Sequence, residues 1–142
     1  MSAPARRSGT GQEPSEPSPL RVLAEERRSF AFAFAGLAHA WRTQRHMRLH
    51  AGIGLLAALC GVALGLGPAE WAVLLLTITA VLVLELLNTV IEAVVDLASP
   101  HHHPLAKVAK DVSAGAVLVA AIGSVAVGAA LFLPRIWRLL VA

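Results

Sequence analysis

Four residues inside a strongly apolar stretch are of the types that handle protons, metal ions and phosphate. Val81–Asp96 reads V-L-V-L-E-L-L-N-T-V-I-E-A-V-V-D and contains Glu85, Asn88, Glu92 and Asp96. On a helix turning about 100° per residue they fall at about 0°, 300°, 340° and 20°, so all four lie in an arc of roughly 80°. They form a narrow polar stripe on an otherwise apolar rod. An ionisable group near a bilayer centre costs about 2.5–3.5 kcal/mol on insertion scales, so three carboxyls on one face need a cause. One reading is a buried polar seam that only holds helices together. The other is a site at the membrane edge. There one carboxylate accepts a proton from a lipid hydroxyl, and a second, further out, holds Mg²⁺, a hard cation that prefers oxygen ligands and phosphate. Intramembrane carboxylates also line proton and ion pathways, so a conducting or purely structural oligomer stays open on these residues alone.

Composition sets the environment of the stripe. The chain has 142 residues, 56% of them hydrophobic, and a mean hydropathy of +0.67. That balance points to a single membrane domain of the all-α class. Three helices of this length bury a polar stripe poorly on their own, which favours self-association. The twelve Lys and Arg all lie outside the long apolar runs. This fits cytoplasmic flanks and argues against a nucleic-acid surface. The single cysteine, Cys60, lies within an apolar run and reads as packing.

The remaining elements must position the stripe. Residues 1–19, rich in Pro, Ser and Gly, read as a disordered tail without the apolar core of a signal peptide. Residues 20–48 read as an amphipathic helix in the membrane interface. Phe30, Phe34, Leu37 and Trp41 share one face, with Trp41 at headgroup level. Residues 49–67 form the first expected span, uncharged, with Gly61 and Gly65 as a small-xxx-small pair. His50 at its start reads as an interfacial polar residue. Pro68 marks a turn, and the second span covers 71–95. Counted from Trp71, Glu85 lies about 21 Å along the helix, Glu92 about 32 Å and Asp96 about 38 Å. Glu85 thus belongs inside the inner edge of the membrane, and Glu92 and Asp96 at or beyond it. Residues 97–110 read as a polar connection in which Pro100 and Pro104 break helix and Lys107 and Lys110 add positive charge. The consecutive His101, His102 and His103 cannot all face one ion in regular structure. Residues 111–133 form the third span, ended by Pro134.

Charge bias sets the orientation. Eight arginines precede the first span, the first loop has none and the second loop has two lysines. The N-terminus and second loop are therefore expected in the cytoplasm, where ATP is found, with Arg135 and Arg138 a minor contradiction. Soluble-kinase patterns are absent: there is no G-x-x-x-x-G-K-[ST], H-R-D or D-F-G.

Glu85–Asp96, E-L-L-N-T-V-I-E-A-V-V-D, resembles the signature of the bacterial diacylglycerol kinase family, which includes the undecaprenol kinases. His103–Leu118, H-P-L-A-K-V-A-K-D-V-S-A-G-A-V-L, is similar to its second block, and Gln44–His50, Q-R-H-M-R-L-H, to its N-terminal block. The resemblance covers about residues 29–133. It implies a three-span membrane enzyme, a homotrimer with sites between subunits. It also implies transfer of the ATP γ-phosphoryl group to a lipid primary hydroxyl with Mg²⁺, in the bacterial cell membrane. Carried over residue by residue, it makes Glu85 the catalytic base and Glu92 a metal ligand. Asn88 and Asp96 support them. Lys110, Asp111, Glu92, His101, His102, His103 and Phe32 are expected on the nucleotide side, and Trp41 with Glu85 on the lipid side. At Gln44 some members carry a second metal-binding Glu, and an amide there offers only a neutral oxygen. The M-R-L-H and H-P-L-A-K-V-A-K-D wording favours undecaprenol over diacylglycerol as substrate.

Overall fold

The computed structural model describes residues 19–99, 101 and 103–141, so the expected tail, apart from Pro19, lies outside the described residues, as do Pro100 and His102. Four helices follow one another: α1 (Pro19–Thr43), α2 (Arg45–Ala63), α3 (Pro68–Ala98) and α4 (Pro104–Val141). Contacts divide the chain into two compact units that meet at Gly36–Leu37, within α1. The first contains Arg28, whose guanidinium lies 5.6 Å from the centroid of the Phe32 ring. The second contains α2, α3 and α4.

The helix expected over 20–48 is two helices. Gln44 between them is extended, with φ −96° and ψ 115°. Arg48 makes the break tolerable: its Nη1 donates to the carbonyl oxygens of Trp41 at 2.8 Å and Arg42 at 3.2 Å, which the end of α1 leaves without helical partners. The first apolar run therefore starts four residues earlier than expected, with its basic residues as the first turn of α2.

The α2–α3 turn closes a Schellman motif. Leu66 N–H donates to Gly61 C=O at 3.0 Å and Gly65 N–H to Val62 C=O at 3.2 Å. Gly65 takes the required left-handed φ of +64°. Pro68 opens α3 and Glu70 reaches back to the Gly67 N–H at 2.8 Å. Glu70 also receives Arg135 Nη2 at 2.5 Å, tying the start of α3 to the far end of α4.

Of the three prolines expected to stop a helix, the two that lie among the described residues, Pro104 and Pro134, behave otherwise. Pro104 opens α4, where its missing N–H costs nothing. His103 caps that end: its Nδ1 accepts the Leu105 N–H at 3.2 Å and its carbonyl the Lys107 N–H at 3.2 Å. Lys107 and Lys110 thus stand on a helix, and the α3–α4 connection shrinks to the residues around 99–103. Pro134 lies inside α4, which runs on to Val141. Arg135 Nη1 bonds the Leu131 carbonyl at 2.9 Å and Arg138 Nε the Pro134 carbonyl at 3.2 Å. Side-chain donors so support the carbonyls around the interruption.

α2, α3 and α4 are each long and apolar enough to cross a membrane. α3 is the central helix, packing against both α2 and α4. The core is thin: its buried apolar side chains are Ala40, Met47, Leu66, Leu74, Val81 and Val117, while Leu55, Leu76, Ile122 and Val125 remain more than half exposed. Such outward apolar surface suits lipid or further protein as neighbour, not water.

Candidate active site

The stripe of α3 turns inward at its middle. Glu85 is 3% exposed, the most deeply buried charged residue among those described. Its helix carries it into a cavity of about 380 Å³ lined by Glu85, Asn88 and Glu92 from α3, His46 and His50 from α2, and Ala114, Val117, Leu118 and Ala121 from α4. The small side chains of α4 leave the room. The polar wall comes from α3 and α2.

A hydrogen-bond chain orders that wall. Ser113 Oγ donates to Asn88 Oδ1 at 2.6 Å, and Asn88 Nδ2 donates to Glu92 Oε1 at 3.1 Å. One turn outward lies a second cavity, of about 590 Å³, lined among others by Asp96, Ser99, His101, His103, Lys107, Lys110 and Asp111. Lys110 Nζ lies 2.5 Å from Asp96 Oδ1, bridging α4 to α3, and Lys107 pairs with Asp111 one turn on.

The residues singled out from sequence thus fall into two neighbouring groups on the α3–α4 seam. Glu85, Asn88 and Glu92 share the inner cavity, and Asp96, His101, His103, Lys110 and Asp111 the outer one. Lys110 and Asp111 are paired with Asp96 and Lys107. Gln44 is half-buried at the α1–α2 junction, two residues before His46, and is not among the residues lining the inner cavity. Trp41 is 51% exposed. Phe32 belongs to the other compact unit. His102 lies outside the described residues.

Two cavity residues and one of their neighbours escape the sequence reading: His46 and Ser113, which bonds Asn88, are not singled out there, and His50 reads only as an interfacial polar residue. His46 and His50 stand four apart on α2, so one helical face presents both; that spacing was the available signal. Ser113 is 7% exposed and offered no signal of its own.

The 102 residues from 31 to 132 match the family model described as prokaryotic diacylglycerol kinase. The chain belongs to the prokaryotic diacylglycerol kinase family. It is 47% identical over 114 residues to a Synechocystis protein named diacylglycerol kinase, covering 80% of this chain and 65% of that one. It is 43% identical over 109 residues to the Bacillus subtilis undecaprenol kinase, covering 77% and 89%. It is 33% identical over 94 residues to an Escherichia coli diacylglycerol kinase, covering 66% and 77%. The chain therefore spans about two thirds of the Synechocystis protein's length. Three spanning-length helices and this membership make it a membrane protein of a bacterial lipid-kinase family.

Kinases of this kind imply a divalent ion beside the nucleotide. Among the described residues no three His, Cys, Asp or Glu side chains converge as a free-standing metal site. Mg²⁺ does not need one, because it keeps several waters and takes one or two carboxylates together with substrate phosphates. Glu92 suits that arrangement: an ionised carboxylate has about four lone-pair positions, and Asn88 occupies one. The donor set fits an ion that arrives with phosphate.

Proposed function

We propose that this protein transfers the ATP γ-phosphoryl group to the primary hydroxyl of a membrane lipid, with undecaprenol favoured over diacylglycerol. The observation that carries the reading is Glu85, 3% exposed, in one cavity with Asn88 and Glu92. A structural seam would close on its carboxyl; here Glu85 lines a cavity of about 380 Å³. The lipid hydroxyl enters from the membrane side. Its oxygen attacks the γ-phosphorus as Glu85 takes the proton, the bond to the bridging oxygen of the leaving ADP breaks, and Glu85 later returns the proton to water. Mg²⁺, when bound, neutralises charge on the transferring phosphoryl group, and Glu92 is the side chain that would hold it. Gln44 adds a weak, water-mediated oxygen on the metal side. Asp96 holds Lys110 at the mouth, from where the lysine, with Asp111, His101 and His103, meets the nucleotide.

Residues 20–142 act as one kinase domain, α1 lies in the membrane interface with Trp41 beside the lipid, and the N-terminus is cytoplasmic. The outward apolar surfaces and the thin core support a homotrimer whose subunits complete one another's sites. The preference for undecaprenol rests on the M-R-L-H and H-P-L-A-K-V-A-K-D stretches, which resemble the undecaprenol-kinase branch of the family.

The deciding experiment is purified protein in detergent or nanodiscs with labelled ATP and Mg²⁺, assayed against undecaprenol and diacylglycerol separately. Faster labelling of undecaprenol is expected. Label on diacylglycerol alone reverses the substrate preference, and proton flux in liposomes without lipid phosphorylation overturns the kinase reading.

A further inference from the structure

We infer that Ser113 is a positioning residue that sets the direction of the Asn88 amide and, through it, the Glu92 carboxylate. The inference rests on the kinase reading for what Glu92 holds, but its geometry stands by itself. Ser113 Oγ lies 2.6 Å from Asn88 Oδ1 and 2.9 Å from the Lys110 carbonyl oxygen. Asn88 Nδ2 lies 3.1 Å from Glu92 Oε1.

The direction of this chain follows from what each group is able to give. An ionised carboxylate only accepts, so Glu92 requires the Nδ2 end of the Asn88 amide. That leaves Oδ1 facing α4, where it needs a donor. Ser113 supplies one with its single hydroxyl proton. The Lys110 carbonyl competes for the same proton, so the hydroxyl is shared between the helix and the site. If the hydroxyl is lost, Oδ1 faces the end of a methyl group, and of the two contacts that distinguish the amide's orientations only the one to Glu92 is left. A flipped amide would point Oδ1 at Glu92, oxygen against oxygen. Ser113 is buried, so water does not readily replace the missing donor. Asn88 and Glu92 stand four apart on α3 and hold their rotamers together. Ser113 comes from α4 and couples that pair to the helix bearing Lys110. The residue therefore transmits the α3–α4 packing to the one carboxylate suited to the nucleotide's metal.

The test uses the full chain in detergent, with Mn²⁺ and a non-hydrolysable ATP analogue followed by electron paramagnetic resonance. Alongside it go the Asn88 side-chain amide signals in NMR and steady-state kinetics. Ser113→Ala is expected to weaken Mn²⁺–nucleotide binding about 3- to 10-fold, the range one buried hydrogen bond supports. The KM for metal–ATP should rise by a similar factor with the KM for lipid unchanged, and the Asn88 amide signals should shift. Ser113→Thr, which keeps the hydroxyl, should restore binding. In an Asn88→Ala background, Ser113→Ala should add no further loss. Equal losses in both backgrounds would show that Ser113 acts through packing and overturn the inference, as would parent-level Mn²⁺ binding with unshifted Asn88 signals. A parent protein that phosphorylates no lipid overturns the kinase reading, while the Mn²⁺ and amide measurements still decide the role of Ser113.

Discussion

Glu85 and Glu92 lie two turns apart on one face, about 10.5 Å along the helix, yet their surroundings assign them different work. Glu85 is buried and shares its cavity with the apolar Ala114, Val117, Leu118 and Ala121 of α4, which suits the proposed approach of a lipid headgroup from the bilayer. Glu85→Gln keeps the shape and removes the proton acceptor. kcat should fall by about 10²–10⁴-fold, the usual general-base contribution, while nucleotide binding and assembly persist. A variant that folds, binds ATP and turns over at the parent rate excludes Glu85 as the base. Glu92 accepts from Asn88 and is half-buried, less enclosed than Glu85. Glu92→Gln should shift the Mg²⁺ titration of activity to higher concentration, and an unchanged titration would contradict its role. Gln44 brings an amide without charge, so Gln44→Ala should reduce activity at limiting Mg²⁺ by a smaller factor than Glu92→Gln. Parent kinetics at limiting Mg²⁺ would place Gln44 outside the site.

At the scale of elements, the site depends on how closely α2 approaches α3, because α2 brings His46 and His50 to the stripe. Gly54 governs that approach: a Cβ placed there would stand 2.8 Å from Ile78 Cγ2. That carbon is fixed to a branched Cβ and moves only with a change of rotamer or a shift of the helix. Gly54→Ala gains up to about 1 kcal/mol of helix propensity. The forced repacking costs about 1–3 kcal/mol, so the net effect should be destabilising. Gly52, where a Cβ meets nothing within 4 Å, is the control. Gly52→Ala should hold or raise the Tm in detergent while Gly54→Ala lowers it, and Ile78→Ala should partly offset the Gly54→Ala loss. Equal Tm values for the two alanine variants would mean that the α2–α3 contact is looser than this spacing requires.

At the scale of the whole molecule, alternate crossings put the α2–α3 turn and the α3–α4 connection on opposite sides of the membrane. With Cys60 replaced by alanine, single cysteines at positions 68 and 103 should react with an impermeant thiol reagent from opposite faces of sealed vesicles. Reaction from the same face would overturn the three-span arrangement. The thin core and the exposed apolar surfaces of α2 and α4 call for further cover, and the proposed trimer would supply part of it beside lipid. Native mass spectrometry should find three copies, and a monomer carrying full activity would remove the need for shared sites.

The stripe was legible in the sequence because its period belongs to one helix. Four polar residues at 85, 88, 92 and 96 share a face whatever surrounds them. Apolar length likewise announced three crossings, since the bilayer sets the length of a span before any packing occurs. Helix ends were less legible, because they depend on side chains meeting backbone across a break. Arg48 closes α1 against α2, His103 caps α4 behind Pro104, and Arg135 and Arg138 support carbonyls around Pro134. Beyond α3 the family resemblance puts Lys110, Asp111, His101 and His103 on the nucleotide side, while the other neighbours of the stripe and the pairing among all of them were decided only by tertiary structure. Ser113 of α4 bonds Asn88, the two histidines of α2 line the cavity that holds Glu85, and Lys110 is held by Asp96 fourteen residues away. Periodicity ties a residue to its own helix, whereas the rotation of one helix against the next is set by packing, here by the bare backbone of Gly54 against Ile78.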